Sequence, residues 1–146
     1  MDAVSLNPAE RRLSLFMWVS FAMYGTWGLT CMCAPVFAEW IAAQAGALLV
    51  GGAPSPLQPS FWEPLADGAM ASLVVCSFCV AKDPRANRIM VLPILASKFA
   101  GTAFAAVLCL RGDGGPSVVA MLVSDLPLLL ITAALWRAAG QVSTRQ

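Results

Sequence analysis

The sequence predicts an all-α integral membrane protein, built as a four-helix antiparallel bundle with an outer interfacial segment and a proline-rich loop. Of its 146 residues, 59% are hydrophobic and 12% are charged, whereas a soluble domain has about 25% charged residues. The mean hydropathy is +0.74. The apolar residues gather in four runs, at about 13–35, 65–81, 89–110 and 117–136. Because a span needs about 20 apolar residues, we interpret residues 1–146 as a single transmembrane domain.

The first apolar run, 13–35, has a clear helix start before it. Asn7, Pro8 and Glu10 are residue types favoured at the N-cap, first and third helical positions. A cleaved signal peptide is the competing interpretation, because Arg11 and Arg12 precede the run. The run is longer and more aromatic than the apolar part of a signal peptide, so we expect it to remain as the first span.

Residues 36–64 form the outer segment. Its first part is apolar and ends in two glycines, and a fifth span here would place the basic middle loop on the opposite side from Arg11. We therefore expect a helix that continues past the bilayer surface or lies along it. Four prolines then fall within residues 53–64, which predicts a stiff, extended loop, with Phe61 and Trp62 as anchors.

The other spans carry features of close packing. The run 65–81 is short and polar for a span, so we expect neighbouring helices to shield it. In the run 89–110, Ser97, Gly101 and Ala105 recur every four residues, and such a stripe of small residues favours close helix contact. Pro127 lies inside the last run, 117–136.

The basic residues are distributed asymmetrically. Seven of the nine precede the first span, lie between the second and third, or follow the fourth: Arg11, Arg12, Lys82, Arg85, Arg88, Arg137 and Arg145. The positive-inside rule then predicts a bacterial inner-membrane protein with both termini in the cytoplasm. No basic patch of the kind that binds nucleic acid is present in the sequence.

Lys98 and Asp125 are ionisable residues within apolar runs. Counted from the inner ends of their spans, Arg88 and Trp136, they lie at similar depth, about 15 and 17 Å in. A lone charge there costs about 2.5–3.5 kcal/mol, so we expect the two to pair. The pair either locks the bundle together or forms the polar floor of a pocket or transport path. Tyr24, Ser97 and Ser124 lie near the same depth and are candidates for that pocket.

The five cysteines are candidates for redox chemistry. Cys76 and Cys79 form a CxxC pair near the inner face, whereas Cys31, Cys33 and Cys109 lie near the outer face. A thiol oxidoreductase needs pairs that can reach each other near the oxidising side, and the CxxC is at the other end. We interpret the cysteines chiefly as small apolar packing residues.

The sequence argues against most cofactors. It contains no histidine, and its carboxylates are scattered over different depths, so haem, a histidine-ligated tetrapyrrole and a metal site are not expected. No phosphate-binding loop or nucleophile elbow is present. A bound lipid or quinone remains compatible with the sequence.

Several short motifs resemble the DoxX-like group of small four-helix bacterial membrane proteins. They are Gly28-Leu29 and Ala34-Pro35 in the first span, Asp83-Pro84-Arg85 in the inner turn, Ser97-Lys98, and Asp125-Leu126-Pro127. The resemblance implies a small helical membrane protein, and some members of the group accompany quinone-linked or thiol-linked redox systems. The long proline-rich loop departs from that pattern.

Two functions follow as hypotheses. The leading one is a non-catalytic membrane accessory subunit that packs against a larger membrane complex or binds an apolar molecule. The expected partners are the lipid bilayer and either other membrane subunits or, in a homo-oligomer, copies of the chain. The alternative is a small DoxX-like oxidoreductase or transporter that uses Lys98 and Asp125. The first is favoured because packing features outnumber catalytic ones in the sequence.

Overall fold

The computed structural model describes residues 6–51, 63–112 and 115–143. Five α-helices and one short 3-10 helix, Arg88–Met90, occupy these ranges, which confirms the all-α prediction for them. The helices are α1 (Pro8–Cys33), α2 (Pro35–Val50), α3 (Glu63–Lys82), α4 (Val91–Arg111) and α5 (Pro116–Ser143). Most of the predicted proline-rich loop, with Phe61 and Trp62, lies outside the described residues.

Helix α1 begins where the sequence predicts. The Asn7 side chain accepts a hydrogen bond from the Glu10 N–H at 2.9 Å, and the Glu10 carboxylate accepts one from the Asn7 N–H at 2.8 Å. This reciprocal arrangement is a capping box, with Pro8 in the first turn. It satisfies backbone donors that would otherwise lack a partner at the helix start.

A single residue, Ala34, separates α1 from α2. Its backbone leaves the helical region, with φ −145° and ψ 61°, because a residue that precedes proline is disfavoured in the α conformation. Pro35 then starts α2, which packs against α5 and α1. Helix α2 thus forms the first part of the predicted outer segment 36–64, and its position relative to a bilayer stays a prediction.

The long helices run antiparallel to their neighbours. Ser14 Oγ donates to the Ala81 carbonyl at 2.6 Å, and Gly28, further along α1, lies against Met70, near the start of α3. Helices α4 and α5 are related in the same way by Lys98 and Asp125. Among these four helices, the closest packing of the described residues is between α1 and α3, α4 and α5, α1 and α5, and α3 and α4.

One end of the molecule gathers the start of α1, the turn after α3 and the end of α5. Arg85 Nε lies 2.6 Å from Glu10 Oε1, and this hydrogen bond lowers the pKa of Glu10 below its ordinary value of 4.5. Arg88 donates to the Trp136 carbonyl at 3.2 Å. We call this the basic end, because it carries Arg11, Arg12, Lys82, Arg85, Arg88 and Arg137.

The densest apolar packing lies between the ion pair of Lys98 with Asp125 and the basic end. Leu13, Met17, Val80, Val91 and Ile94 are almost fully buried there.

Helix α5 continues to Ser143, beyond the predicted end of the span at 136. The contact of Arg88 with the Trp136 carbonyl holds these last turns against the start of α4.

Two helical segments of the described residues are long and apolar enough to cross a bilayer. They are Arg88–Arg111 and Val118–Gly140, which correspond to the predicted spans 89–110 and 117–136. The predicted span 65–81 falls within α3, whereas the predicted span 13–35 overruns α1, which ends at Cys33 before the break at Ala34. Their crossing of a membrane stays a prediction.

Candidate functional site

Lys98 and Asp125 form an ion pair in the middle of the molecule. Lys98 Nζ lies 2.7 Å from Asp125 Oδ1, and the two side chains are 10% and 16% exposed. Helix α4 turns Lys98 inward because Val91, Ile94, Thr102 and Ala105 lie on the same buried face. The charged residues that the sequence analysis pairs therefore do meet, at a short hydrogen-bonding distance.

Tyr24 and Gly101 shape the surroundings of the pair. Lys98 Nζ lies 5.1 Å from the centre of the Tyr24 ring, a cation–π distance. A Cβ atom at Gly101 would lie 3.6 Å from Asp125 Oδ2 and 3.3 Å from Met121 Cε. A methyl group at Gly101 would therefore touch Asp125 at an ordinary contact distance and would press only on the end of the flexible Met121 side chain.

Two buried hydroxyl groups of the described helices have no hydrogen-bond partner. They are Thr102 Oγ1 and Ser77 Oγ. Thr102 follows Lys98 by four residues and shares its buried face. Other helical hydroxyls donate to the carbonyl four residues earlier, at Ser20, Thr30, Ser72 and Thr132. Thr102 and Ser77 are thus free to hydrogen-bond to another group.

Sequence reasoning missed Thr102 because an isolated threonine in an apolar run is ordinary. Its spacing of one helical turn from Lys98 is the signal that could have found it. Of the other predicted pocket residues, Ser97 and Ser124 are exposed. Ser124 Oγ donates to the Met121 carbonyl at 3.0 Å. The structure therefore joins Tyr24 to the ion pair, with Thr102 one turn away.

The cysteines lie near both ends of the molecule. Cys76 and Cys79 are in the last two turns of α3, towards the basic end, and Cys33, Cys76, Cys79 and Cys109 are free thiols. Cys31 and Cys33 lie at the end of α1, and Cys109 at the end of α4. Among the described residues, no group of three or more Cys, Asp or Glu is placed to hold a metal ion.

A second polar contact links α4 to α5 at the basic end. The Arg88 guanidinium carbon lies 5.2 Å from the centre of the Trp136 ring. A Cβ atom at Gly140 would overlap the same guanidinium. This arrangement fastens the two helix ends together, and sequence reasoning missed it because the residues are far apart in the chain.

The motifs that suggested a family have local structural roles here. Asp83 Oδ1 accepts hydrogen bonds from the N–H groups of Arg85 and Ala86, both at 3.0 Å, and so closes the inner turn. Gly28 packs against Met70, and Asp125 binds Lys98. The resemblance to the DoxX-like group stays a prediction. No family model, curated protein or solved structure matches the chain.

Proposed function

We propose that the chain is an integral membrane protein, whose helices α1, α3, α4 and α5 form an antiparallel bundle across a bacterial inner membrane. The observation behind this proposal is that the two described helices long and apolar enough to cross a bilayer are poorly covered by the rest of the chain. Only 28% of the segment in α4 and 6% of that in α5 are buried. In a soluble protein, helices of this kind are buried in the core. Lipid or other membrane helices would cover these faces.

The basic end supports a cytoplasmic location for both termini. Arg11, Lys82, Arg85, Arg88 and Arg137 come together there although they belong to three separate parts of the sequence. Positive residues are retained on the cytoplasmic side of inner-membrane proteins. A fluorescent reporter active only in the cytoplasm, fused after Gln146, should be active, and an alkaline phosphatase fused there should be inactive. The reverse pattern would contradict the orientation.

Within the membrane, we propose a non-catalytic accessory subunit that packs against a larger complex. Lys98 Nζ and Asp125 Oδ1 pair with each other at 2.7 Å. No charged side chain in the middle of the described chain is therefore left without a partner. The outward faces, in contrast, present large side chains such as Phe99, Phe104 and Leu130, which are 65%, 63% and 61% exposed. These are surfaces for packing rather than for chemistry.

The test is native gel electrophoresis and native mass spectrometry of the untagged protein, extracted from its own membrane in mild detergent. An accessory subunit should run far above its 15.4 kDa mass, with the same partner proteins in each preparation. Recovery as a free monomer or as a small homo-oligomer alone would contradict the subunit proposal.

A pocket around Lys98 and Asp125 is the second candidate function, as a small transporter or oxidoreductase. The buried, unpartnered hydroxyl of Thr102 favours it, because such groups are usually satisfied by protein or by a bound molecule. Mass spectrometry of small molecules that co-purify with the protein is the test. A molecule present in the wild type and absent from a Lys98→Met/Asp125→Asn double variant would support the pocket, and no difference would contradict it.

A further inference from the structure

We propose that the outward face formed by α1 and α3 at the basic end binds one anionic phospholipid. The face, named here the aromatic–basic face, consists of Trp18, Phe21, Phe78, Arg11 and Lys82. The rings would contact the upper acyl chains, and the two cations would bind the phosphate group. This inference rests on the membrane insertion proposed above, and it adds a ligand class and a binding surface.

Three aromatic rings from α1 and α3 make the apolar part of the face. Trp18 packs edge-on against Phe21 and Phe78, with ring centres 5.8 and 5.7 Å apart, and Phe21 lies 5.6 Å from Phe78. Edge-on packing at these distances fixes the rings relative to one another. Trp18 and Phe78 nevertheless remain 43% and 37% exposed. The cluster thus offers a preformed apolar surface to a partner outside the chain.

Two cations lie on the basic-end side of these rings. Lys82 follows Phe78 by one helical turn, and its Nζ lies 5.7 Å from the centre of the Phe78 ring. Arg11 precedes Trp18 by seven residues, which is about two turns, so it lies on the same face of α1 about 10 Å nearer the end. Because α1 and α3 are antiparallel, both cations lie beyond the rings in the same direction.

These two cations differ from Arg85 and Arg88 at the same end in what they contact. Arg85 is bound to Glu10 and Arg88 to the Trp136 carbonyl. The ion pairs of the described chain involve neither Arg11 nor Lys82, and both are exposed. Asp83, the acid next to Lys82, accepts hydrogen bonds from the backbone of its own turn. Arg11 and Lys82 are therefore available to an external anion.

The order of groups along the face matches a phospholipid. Going towards the basic end, exposed rings come first and cations follow, just as acyl chains precede the phosphate going outward through one leaflet. Tryptophan favours the headgroup level, and lysine extends its ammonium towards it. Cations near an anionic leaflet each contribute about 1 kcal/mol, or about fivefold in affinity. A free phosphate ion would use the cations but leave the rings uncovered.

The experiment is native mass spectrometry of the full chain released from vesicles of phosphatidylcholine with 20% phosphatidylglycerol of matched acyl chains. The wild type should retain one phosphatidylglycerol in preference to phosphatidylcholine. Arg11→Gln and Lys82→Gln should each weaken that retention about fivefold. Arg137→Gln is the matched control, because Arg137 is exposed at the same end on α5, which packs against α4, α2 and α1. It should retain the lipid as the wild type does.

Three results would overturn the inference. They are equal retention of the two lipids, the same loss in Arg137→Gln as in Lys82→Gln, and displacement of the lipid by millimolar inorganic phosphate. Insertion is scored separately, by resistance of the vesicle-bound protein to extraction at alkaline pH. Inserted protein without lipid preference defeats this inference alone, whereas extractable protein defeats the membrane proposal as well.

Discussion

The two ion pairs of the described chain lie in contrasting regions. Glu10 and Arg85 meet at the basic end, where the Glu10 side chain is 6% exposed but that of its partner Arg85 is 38% exposed. Lys98 and Asp125 meet at mid-height, where neither side chain is more than 16% exposed. The N···O distances, 2.6 and 2.7 Å, are nearly the same. The pairs therefore differ in surroundings rather than in geometry.

That difference decides what each pair contributes. The Arg85 guanidinium is open to water at the basic end and stays solvated after Glu10 is removed, so the net contribution of the Glu10–Arg85 pair is small. At mid-height, a charge left without its partner stays in apolar surroundings, which is costly. The deep pair specifies how α4 and α5 align, whereas the end pair secures the start of a helix that is already capped.

The largest effect should come from breaking the deep pair. Lys98→Met leaves the Asp125 carboxylate without its cation and should lower the free energy of unfolding by about 3 kcal/mol. The measurement is reversible unfolding in mixed detergent micelles. Adding Asp125→Asn to Lys98→Met should recover part of the loss, because no uncompensated charge then remains.

Lys82→Met is the matched control for this prediction, since Lys82 is the only other lysine and is exposed at the end of α3. It should change stability by less than about 0.5 kcal/mol. If Lys82→Met and Lys98→Met lower the free energy of unfolding equally, or if Lys98→Met/Asp125→Asn recovers none of the loss, Lys98 and Asp125 are not coupled. The contrast between the two ion pairs then fails.

Thr102→Val tests whether the Thr102 hydroxyl, one helical turn from Lys98, hydrogen-bonds to a bound molecule that is not part of the protein. The Thr102 hydroxyl is buried without a partner, so replacing it with a methyl group of similar size should raise stability by about 1 kcal/mol. Thr132→Val is the control, because Thr132 donates to the Leu128 carbonyl at 2.6 Å and should gain nothing. A loss of stability in Thr102→Val would instead indicate a bound molecule at this hydroxyl and favour the pocket function.

How much the sequence predicts also differs between the two regions. The capping box depends on three neighbouring residues, Asn7, Pro8 and Glu10, so its pattern is readable locally and the structure confirms it. Lys98 and Asp125 can be matched by depth, since helical rise is uniform and two charges in apolar runs need each other. Contacts such as Arg88 with Trp136 depend on the relative rotation and tilt of whole helices, which no local pattern encodes. Thr102 is a different case, because its spacing of one helical turn from Lys98 is a local signal that the sequence does contain.

The end pair should appear most clearly in the pH dependence of stability. Because Arg85 lowers the pKa of Glu10 in the folded protein below 4.5, the ionised carboxylate stabilises the fold above that pH. This contribution is lost as the pH falls through the lowered pKa. The unfolding midpoint should therefore drop between pH 6 and pH 3, and Glu10→Gln should show a shallower drop.

At pH 7, Glu10→Gln should cost well under half of the loss in Lys98→Met, because glutamine can still complete the capping box and Arg85 is solvated. Asp83→Asn serves as the control for the drop in the unfolding midpoint at low pH. Its amide oxygen can still accept the hydrogen bonds from the backbone N–H groups of the turn. If the unfolding midpoint of Glu10→Gln drops at low pH as steeply as that of the wild type, other carboxylates cause the drop.

The smallest effect should come from Gly140→Ala, which tests the contact between Arg88 and the end of α5. Alanine favours helix over glycine by about 1 kcal/mol, but its methyl group would overlap the Arg88 guanidinium. The Arg88 side chain must then move away from the Trp136 carbonyl and ring, so the gain in helix preference and the loss of this contact should cancel to within a few tenths of a kcal/mol.

In an Arg88→Ala background the guanidinium no longer blocks the methyl group, and Gly140→Ala should stabilise by its full helical preference. Equal effects of Gly140→Ala in the two backgrounds, measured by the same unfolding curves, would mean that Arg88 does not rest on α5. The basic end would then contribute to stability through Glu10 and Arg85 alone.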